Sequence, residues 1–174
     1  MTQAAAARRR SWLPAYIGLG SNLQDPAAQL QAALLAMAAL PDCRLVAVSA
    51  FYATPPMGPA GQPEYVNAAA GMLTQLQPAG LLAALKGIER KQGRPLDSPR
   101  WGPRIIDLDI IAMGELCCNE TGLRIPHAGA AQRNFVLRPL ADLAPALDLP
   151  GVGRVDQLLA RLGEEGLRRL PRIQ

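Results

Sequence analysis

The first apolar run of the chain, Ala15–Gly20 (AYIGLG), ends in Gly-Ser-Asn, which predicts a strand followed by a turn. Asp25-Pro26 then opens a helix, with Asp25 as N-cap and Pro26 at the first helical position. It is expected to run to about Leu40, where Pro41-Asp42 stops it. From Arg44 to Thr54, the residues Leu45, Val46, Val48, Phe51 and Tyr52 are β-branched and aromatic enough for a strand, which Pro55-Pro56 ends. Residues 55–64 hold four prolines and two glycines, favouring a semi-rigid irregular loop. A further strand is expected from Tyr65 to about Leu76, and Pro78 begins a helix whose Leu81, Leu82, Leu85 and Ile88 recur at helical spacing.

A second Pro/Gly-rich loop, GRPLDSPRWGPR at 93–104, leads into the strand Ile105–Met113. The resulting order, β-α-β-β-α-β, is the split βαβ arrangement of a ferredoxin-like α+β sandwich, with helices on one face of a mainly antiparallel sheet. Leu123–Pro126 reads as a short extended piece, and helices near 131–143 and 155–162 complete the chain. The organisation expected is a disordered tail over 1–12 and one domain over 13–174, with 151–174 peripheral.

Length and composition bound these readings without changing them. The 174 residues suffice for one domain, and although 49% are hydrophobic, no run approaches the roughly 20 apolar residues of a membrane-spanning helix. A soluble protein is expected. The net charge of +4 lies mostly at the ends, in Arg8, Arg9 and Arg10 and in five arginines after residue 150, leaving ten bases and eleven acids between. Such a middle is no general polyanion binder. Yet five of its ten bases, Arg90, Lys91, Arg94, Arg100 and Arg104, fall within fifteen residues. Cys43, Cys117 and Cys118 have no metal-binding spacing and read as small apolar residues of a cytoplasmic protein in a reducing compartment. The start MTQAAAARRR lacks the apolar stretch of a secretory signal; a disordered tail is preferred to a weak organelle-targeting segment.

The strongest chemical signal is Arg104-Ile-Ile-Asp-Leu-Asp-Ile-Ile111. Alternation on a strand puts Asp107 and Asp109 on one face, with Ile106, Leu108 and Ile110 on the other. Paired carboxylates at this spacing repel each other unless cations neutralise them, and two hard oxygen donors can hold a pair of Mg²⁺ ions that clamp phosphate oxygens. Taken alone, the pair also suits a solvated strand face. Arg94, Arg100, Trp101 and Arg104 just upstream shift the balance, because transfer of a phosphoryl-type group needs guanidinium groups where its negative charge gathers. A hinged loop can close them over bound ATP and keep water out.

The stretch RWGPRIIDLDII closely resembles the signature of the 6-hydroxymethyl-7,8-dihydropterin pyrophosphokinases of folate biosynthesis. YIGLGSN, FYATPPMGPAGQPEYVNAA and LRIPHAGAAQRNFVLRPL agree in order, over about residues 14–148. The resemblance implies a ferredoxin-like fold with a three-layer cleft, in which pyrophosphate passes from ATP to the pterin alcohol with two Mg²⁺ ions. By position, Asp107 and Asp109 match the metal ligands, and Arg94 and Arg104 the arginines that engage phosphate and assist transfer. Glu89, His127 and Arg133 fall where the family contacts ATP. Trp101 resembles part of a lid over the pterin, Tyr65 and Phe135 its stacking partners, and Asn67 the amide at its edge, with backbone groups of Thr54, Pro56 and Met57 completing the pocket.

A flat, amide-bearing bicycle does want aromatic faces and paired donors and acceptors, although residues such as Tyr65 and Phe135, taken alone, are more often core aromatics. His127, after a proline, is given a binding role and not that of a catalytic base. The chain has Leu96 where some members carry a further arginine, and Ala128 where an aromatic often follows the histidine. The implied partners are ATP and the pterin, with no nucleic acid and no membrane, and the implied state is a monomer. The alternative is a non-catalytic ferredoxin-like module that binds RNA or nucleotide; the 4% aromatic content and the acidic strand face suit an RNA platform poorly. A catalytically dead pterin binder and a metal-dependent nuclease or nucleotidyltransferase are weaker still.

Overall fold

The computed structural model describes residues 11–56, 61–94 and 102–171. Its elements follow the predicted order. Strand β1 (Leu13–Ser21) is followed by helix α1 (Pro26–Ala38), strands β2 (Cys43–Val48), β3 (Tyr52–Thr54) and β4 (Tyr65–Thr74), helix α2 (Pro78–Lys91) and strand β5 (Asp107–Met113). Strand β4 pairs with β1, β2 and β3, and β1 pairs with β5, all antiparallel. Strand β5 is thus the last strand on its side of the sheet. This is the expected ferredoxin-like sandwich.

Local chemistry explains where the element ends depart from the expected ones. Helix α1 starts as read, the Asp25 carboxylate accepting the Ala28 N–H at 3.1 Å. It ends at Ala38 because the Ala39 N–H folds back onto the Leu35 and Ala36 carbonyls. The single strand expected over 44–54 is two. Ser49 satisfies both backbone groups of Ala69 by itself, its N–H donating to Ala69 O at 2.9 Å and its Oγ accepting the Ala69 N–H at 2.8 Å. The Ala50 N–H then turns to Asp142, and pairing resumes at Tyr52. Strand β4 stops at Thr74, whose Oγ1 accepts the Leu76 N–H. Strand β5 begins at Asp107 and not at Ile105, because the backbone of Arg104 is taken by Asn22.

One face of the sheet packs on α1 and α2 through Ile17, Leu30, Met37, Met72, Leu81, Leu85, Leu108 and Met113, all essentially solvent-free. Each such side chain contributes about 1.5–3 kcal/mol by leaving water. The expectation of helices on one face only is incomplete. After a β6–β7 hairpin (Cys118–Glu120 and Leu123–Ile125) and a 3₁₀ turn at Ala130–Gln132, helices α3 (Asn134–Leu143) and α4 (Val155–Leu162) cover part of the second face. Leu137, Leu140, Val155, Leu158 and Leu159 form a second core there with Ile111 and Ala112. The segment expected to be peripheral from residue 151 onward therefore supplies core residues. It also lengthens the sheet, because Arg168–Arg169 pairs with β3, beyond a short β8–β9 hairpin (Asp148–Leu149 and Gly153–Arg154). Of the expected N-terminal tail, residues 1–10 lie outside the described residues. Trp12 is placed, its ring stacked under the Arg44 guanidinium at 4.6 Å.

Candidate active site

Alternation along three neighbouring strands brings the candidate residues to one place. On β1 the core side chains are Ala15, Ile17 and Leu19, which leaves Gly18 and Gly20 on the opposite face. On β4 Tyr65 and Asn67 share that face, and on β5 Asp107 and Asp109 do. Where α3 begins, the uncovered end of this face opens into a cavity of about 370 Å³. Asp107, Asp109, Arg104, His127 and Arg133 line it together with Thr54, Tyr65, Asn67 and Phe135.

The two glycines are there for clearance. A Cβ on Gly18 would stand 3.1 Å from Ile111 Cδ1, and one on Gly20 would stand 3.2 Å from Asn67 Oδ1. Asn67 is buried and its amide donates to Thr54 Oγ1 at 2.8 Å. Register in β5 slips once. Tyr16 faces Ala112 while Ile17 faces Ile110, so Ile111 is the extra residue of a bulge. Its carbonyl accepts the His127 N–H at 2.9 Å, which sets the imidazole Nε2 3.9 Å from Asp109 Oδ2.

Charge is concentrated at the β5 end. Asp107 is gripped by Arg94 at 2.5 Å on Oδ1 and by Arg104 on Oδ2. Burial by itself raises the Asp107 pKa, but Arg104, then Arg94 and Lys86, outweigh it and hold the carboxyl below its usual range. Arg94 is desolvated too, yet Asp107 and Glu89 push its pKa up. Tyr65 donates its hydroxyl to Gly102 O at 2.9 Å, tying β4 to the segment that carries Arg104. Its pKa is raised, first by burial.

Not every expected residue lines the cavity. Glu89, expected to contact ATP, is buried at 2% exposure on α2. It accepts the Leu108 N–H at 2.7 Å and pairs with Lys86 and Arg94, each at 2.7 Å. It anchors β5 through Leu108 and does not line the cavity. Arg94 likewise faces Asp107 and Glu89 without lining the cavity, and at the proline-rich loop Pro55 lines it where Pro56 was expected. Met57 and Trp101 lie outside the described residues, as do Leu96 and Arg100.

The sequence reading missed three parts. Asn22 clamps Arg104, its Oδ1 accepting the Arg104 N–H at 2.8 Å while its N–H donates to Arg104 O at 3.0 Å. The Gly-x-Gly-Ser-Asn run is the signal, read only as a turn. Gly129 lets the Arg133 side chain lie across it, since a Cβ there would meet Cζ at 2.8 Å. Lys86 reaches both aspartates, and a lysine in the middle of a helix announces nothing.

Two carboxylates on the cavity wall are hard oxygen donors, and no cluster of three or more His, Cys, Asp or Glu groups able to hold a metal occurs among the described residues. That donor set suits Mg²⁺, which usually takes one or two carboxylates and leaves its other positions to phosphate and water. Carboxylates and guanidinium groups in one cavity with aromatics and an amide define an enzyme that transfers a phosphoryl-type group to a flat polar acceptor.

The family described as 7,8-dihydro-6-hydroxymethylpterin-pyrophosphokinase (HPPK) matches residues 16–145, and the chain belongs to it. It is 51% identical over 156 residues to the 2-amino-4-hydroxy-6-hydroxymethyldihydropteridine pyrophosphokinase of Pseudomonas aeruginosa, covering 90% of this chain and 96% of that one. The protein of the same name from Haemophilus influenzae is 42% identical over 158 residues, or 91% and 98% of the two chains. Among solved structures, Plasmodium falciparum HPPK-DHPS A437G with SDX-DHP superposes with a TM-score of 0.72 at 14% identity, over 94% of this chain and 50% of that one. The chain thus spans about half the length of that solved protein, and this likeness concerns the fold alone.

Proposed function

We propose that the chain transfers the terminal pyrophosphate of ATP to 6-hydroxymethyl-7,8-dihydropterin, releasing AMP, in folate biosynthesis. The observation that carries this reading is a cavity that sets Asp107 and Asp109 on β5 across β1 from Tyr65 and Asn67 on β4, in a chain of the pyrophosphokinase family. The pterin takes the end formed by Tyr65, Phe135, Asn67 and Thr54, where the aromatics hold its faces and the amide its edge. ATP takes the end formed by Asp107, Asp109, Arg104, His127 and Arg133.

Asp107 and Asp109 would hold two Mg²⁺ ions, which would neutralise phosphate charge and lower the pKa of a nearby hydroxyl. Arg94 and Arg104, which hold Asp107 in the free chain, are placed to turn to the phosphates and stabilise charge as it moves to the leaving AMP. The pterin oxygen forms its bond to the β-phosphorus while the bond from that phosphorus to the α–β bridging oxygen breaks. His127 binds and does not act as base. The enzyme acts as a monomer in the cytoplasm as one domain over residues 13–174; no helix among the described residues is long and apolar enough to cross a membrane. An RNA-binding reading has no such support, because α3 and α4 cover part of the sheet face that would serve as platform.

AMP release from Mg-ATP, followed with and without the pterin and with EDTA, tests the reading. Pterin-dependent, EDTA-sensitive AMP is expected; ADP as product, or no turnover by folded protein, overturns it.

A further inference from the structure

Lys86 projects from α2 to the outer edge of β5. Its Nζ stands 3.9 Å from Asp107 Oδ1 and 3.7 Å from Asp109 Oδ1, close to both carboxylates of the cavity wall. It is held there from two directions, by Glu89 at 2.7 Å and by the Leu108 carbonyl at 3.0 Å. Lys86 and Glu89, one turn apart on the helix, thus take the C=O and N–H of the residue between the two aspartates. The Lys86 side chain is partly exposed, at 32%, so it can move aside without leaving an empty core site.

The charges around it are balanced. Glu89, Asp107 and Asp109 face Lys86, Arg94 and Arg104, three against three within this network, with Arg133 a further cation on the cavity wall. A triphosphate carrying two divalent ions is itself close to neutral, so it enters such a site without leaving a large buried net charge. A divalent ion arriving alone meets an ammonium already beside the oxygens it needs and adds two uncompensated positive charges.

We infer that Lys86 sets the divalent-ion affinity of the carboxylate pair. Its ammonium is the internal counter-ion of Asp107 and Asp109 before ligands bind, and it makes the metal enter with the nucleotide and not alone. This inference rests on the reading of those two aspartates as the metal carboxylates. Lys86 is a positioning residue here, since it acts on the metal through them.

The test is Mn²⁺ binding, followed by the electron paramagnetic resonance of free Mn²⁺, to the full chain with and without a non-hydrolysable ATP analogue. Lys86→Gln keeps hydrogen-bond donors for Glu89 and Leu108 O but drops the charge. Lys86→Arg keeps the charge. Without nucleotide, Lys86→Gln is expected to bind Mn²⁺ roughly tenfold more tightly than the parent, with a smaller further gain from the analogue. Lys86→Arg is expected to stay within about threefold of the parent. Unchanged or weaker Mn²⁺ binding by Lys86→Gln, or equal tightening by Lys86→Arg, overturns the inference. Should Lys86→Gln fail to fold, as its melting curve will tell, Lys86→Met is held to the same tightening. Asp109→Asn serves as the separate control: Mn²⁺ binding with the analogue that is indifferent to it would sink the metal-carboxylate reading itself, whatever Lys86 does.

Discussion

Replacing Glu89 by alanine removes the acceptor of the Leu108 N–H and one partner each of Lys86 and Arg94, all at 2.7 Å around a carboxylate 3% exposed. Removing one partner of a buried ion pair costs about 3–5 kcal/mol, because the other charges stay desolvated. Two features favour the lower end. Arg94 keeps Asp107 at 2.5 Å, and Lys86 is exposed enough to find water. A loss of about 3 kcal/mol is expected for Glu89→Ala, or about 6–12 °C in Tm for a chain of this length.

Glu89→Gln keeps an oxygen for Leu108 and loses only charge, so about 1–2 kcal/mol is expected. Urea denaturation of the three proteins at neutral pH measures both values. Because the anchor lies directly between the two aspartates, kcat should fall more for alanine than for glutamine. A loss below about 1 kcal/mol for Glu89→Ala, or equal losses for the two variants, would refute the anchoring role.

Asp107→Asn should lower kcat by two orders of magnitude or more in the AMP-release assay, in line with the loss of a central electrostatic group. The same variant has a signature in stability against pH. The Asp107 pKa is depressed in the folded chain, so its contribution is present above the usual value of 3.8 and fades as pH falls through the lower folded value; melting curves taken from pH 6 downward should therefore fall less steeply for the variant than for the parent. Gly20→Ala pushes a methyl to 3.2 Å from Asn67 Oδ1, and because the Asn67 amide is fixed by Thr54 the pterin KM should rise severalfold with little change in the KM for ATP. Tyr52→Phe removes the hydroxyl that donates to Asp142 at 2.9 Å, a loss of about 1 kcal/mol by denaturant titration with kcat unchanged, since this pair ties β3 to α3 away from the cavity.

Much of the fold is legible along the chain. Apolar runs, caps and turn residues place β1, β4 and α1 within a few residues, and alternation and helical spacing place β5 and α2, because each buries apolar side chains against a shared core. The exceptions share a cause. The break at Ser49, the late start of β5 and the bulge at Ile111 are set by hydrogen bonds to Ala69, Asn22 and His127. Those partners lie 16 to 82 residues away in the chain, where no local pattern reports them. The segment after residue 151 looked peripheral because it lies beyond the motifs that mark the family; its worth lies in contacts with α3 and β3.

The candidate site divides in the same way. The linear pattern alone puts Asp107 and Asp109 on one face and Arg94 and Arg104 close by, since alternation and a short loop settle that much. It also supplies the motif order that marks the family. Tertiary structure alone decides which cation meets which carboxylate: Glu89 anchors Leu108 and pairs with Lys86 and Arg94, Asn22 clamps Arg104, and Lys86 reaches both aspartates. The reason is electrostatic. Charges act over a few ångströms in space, and which of them come that close is fixed by the packing of α2 against the edge of β5 and by the pairing of β1 with β5.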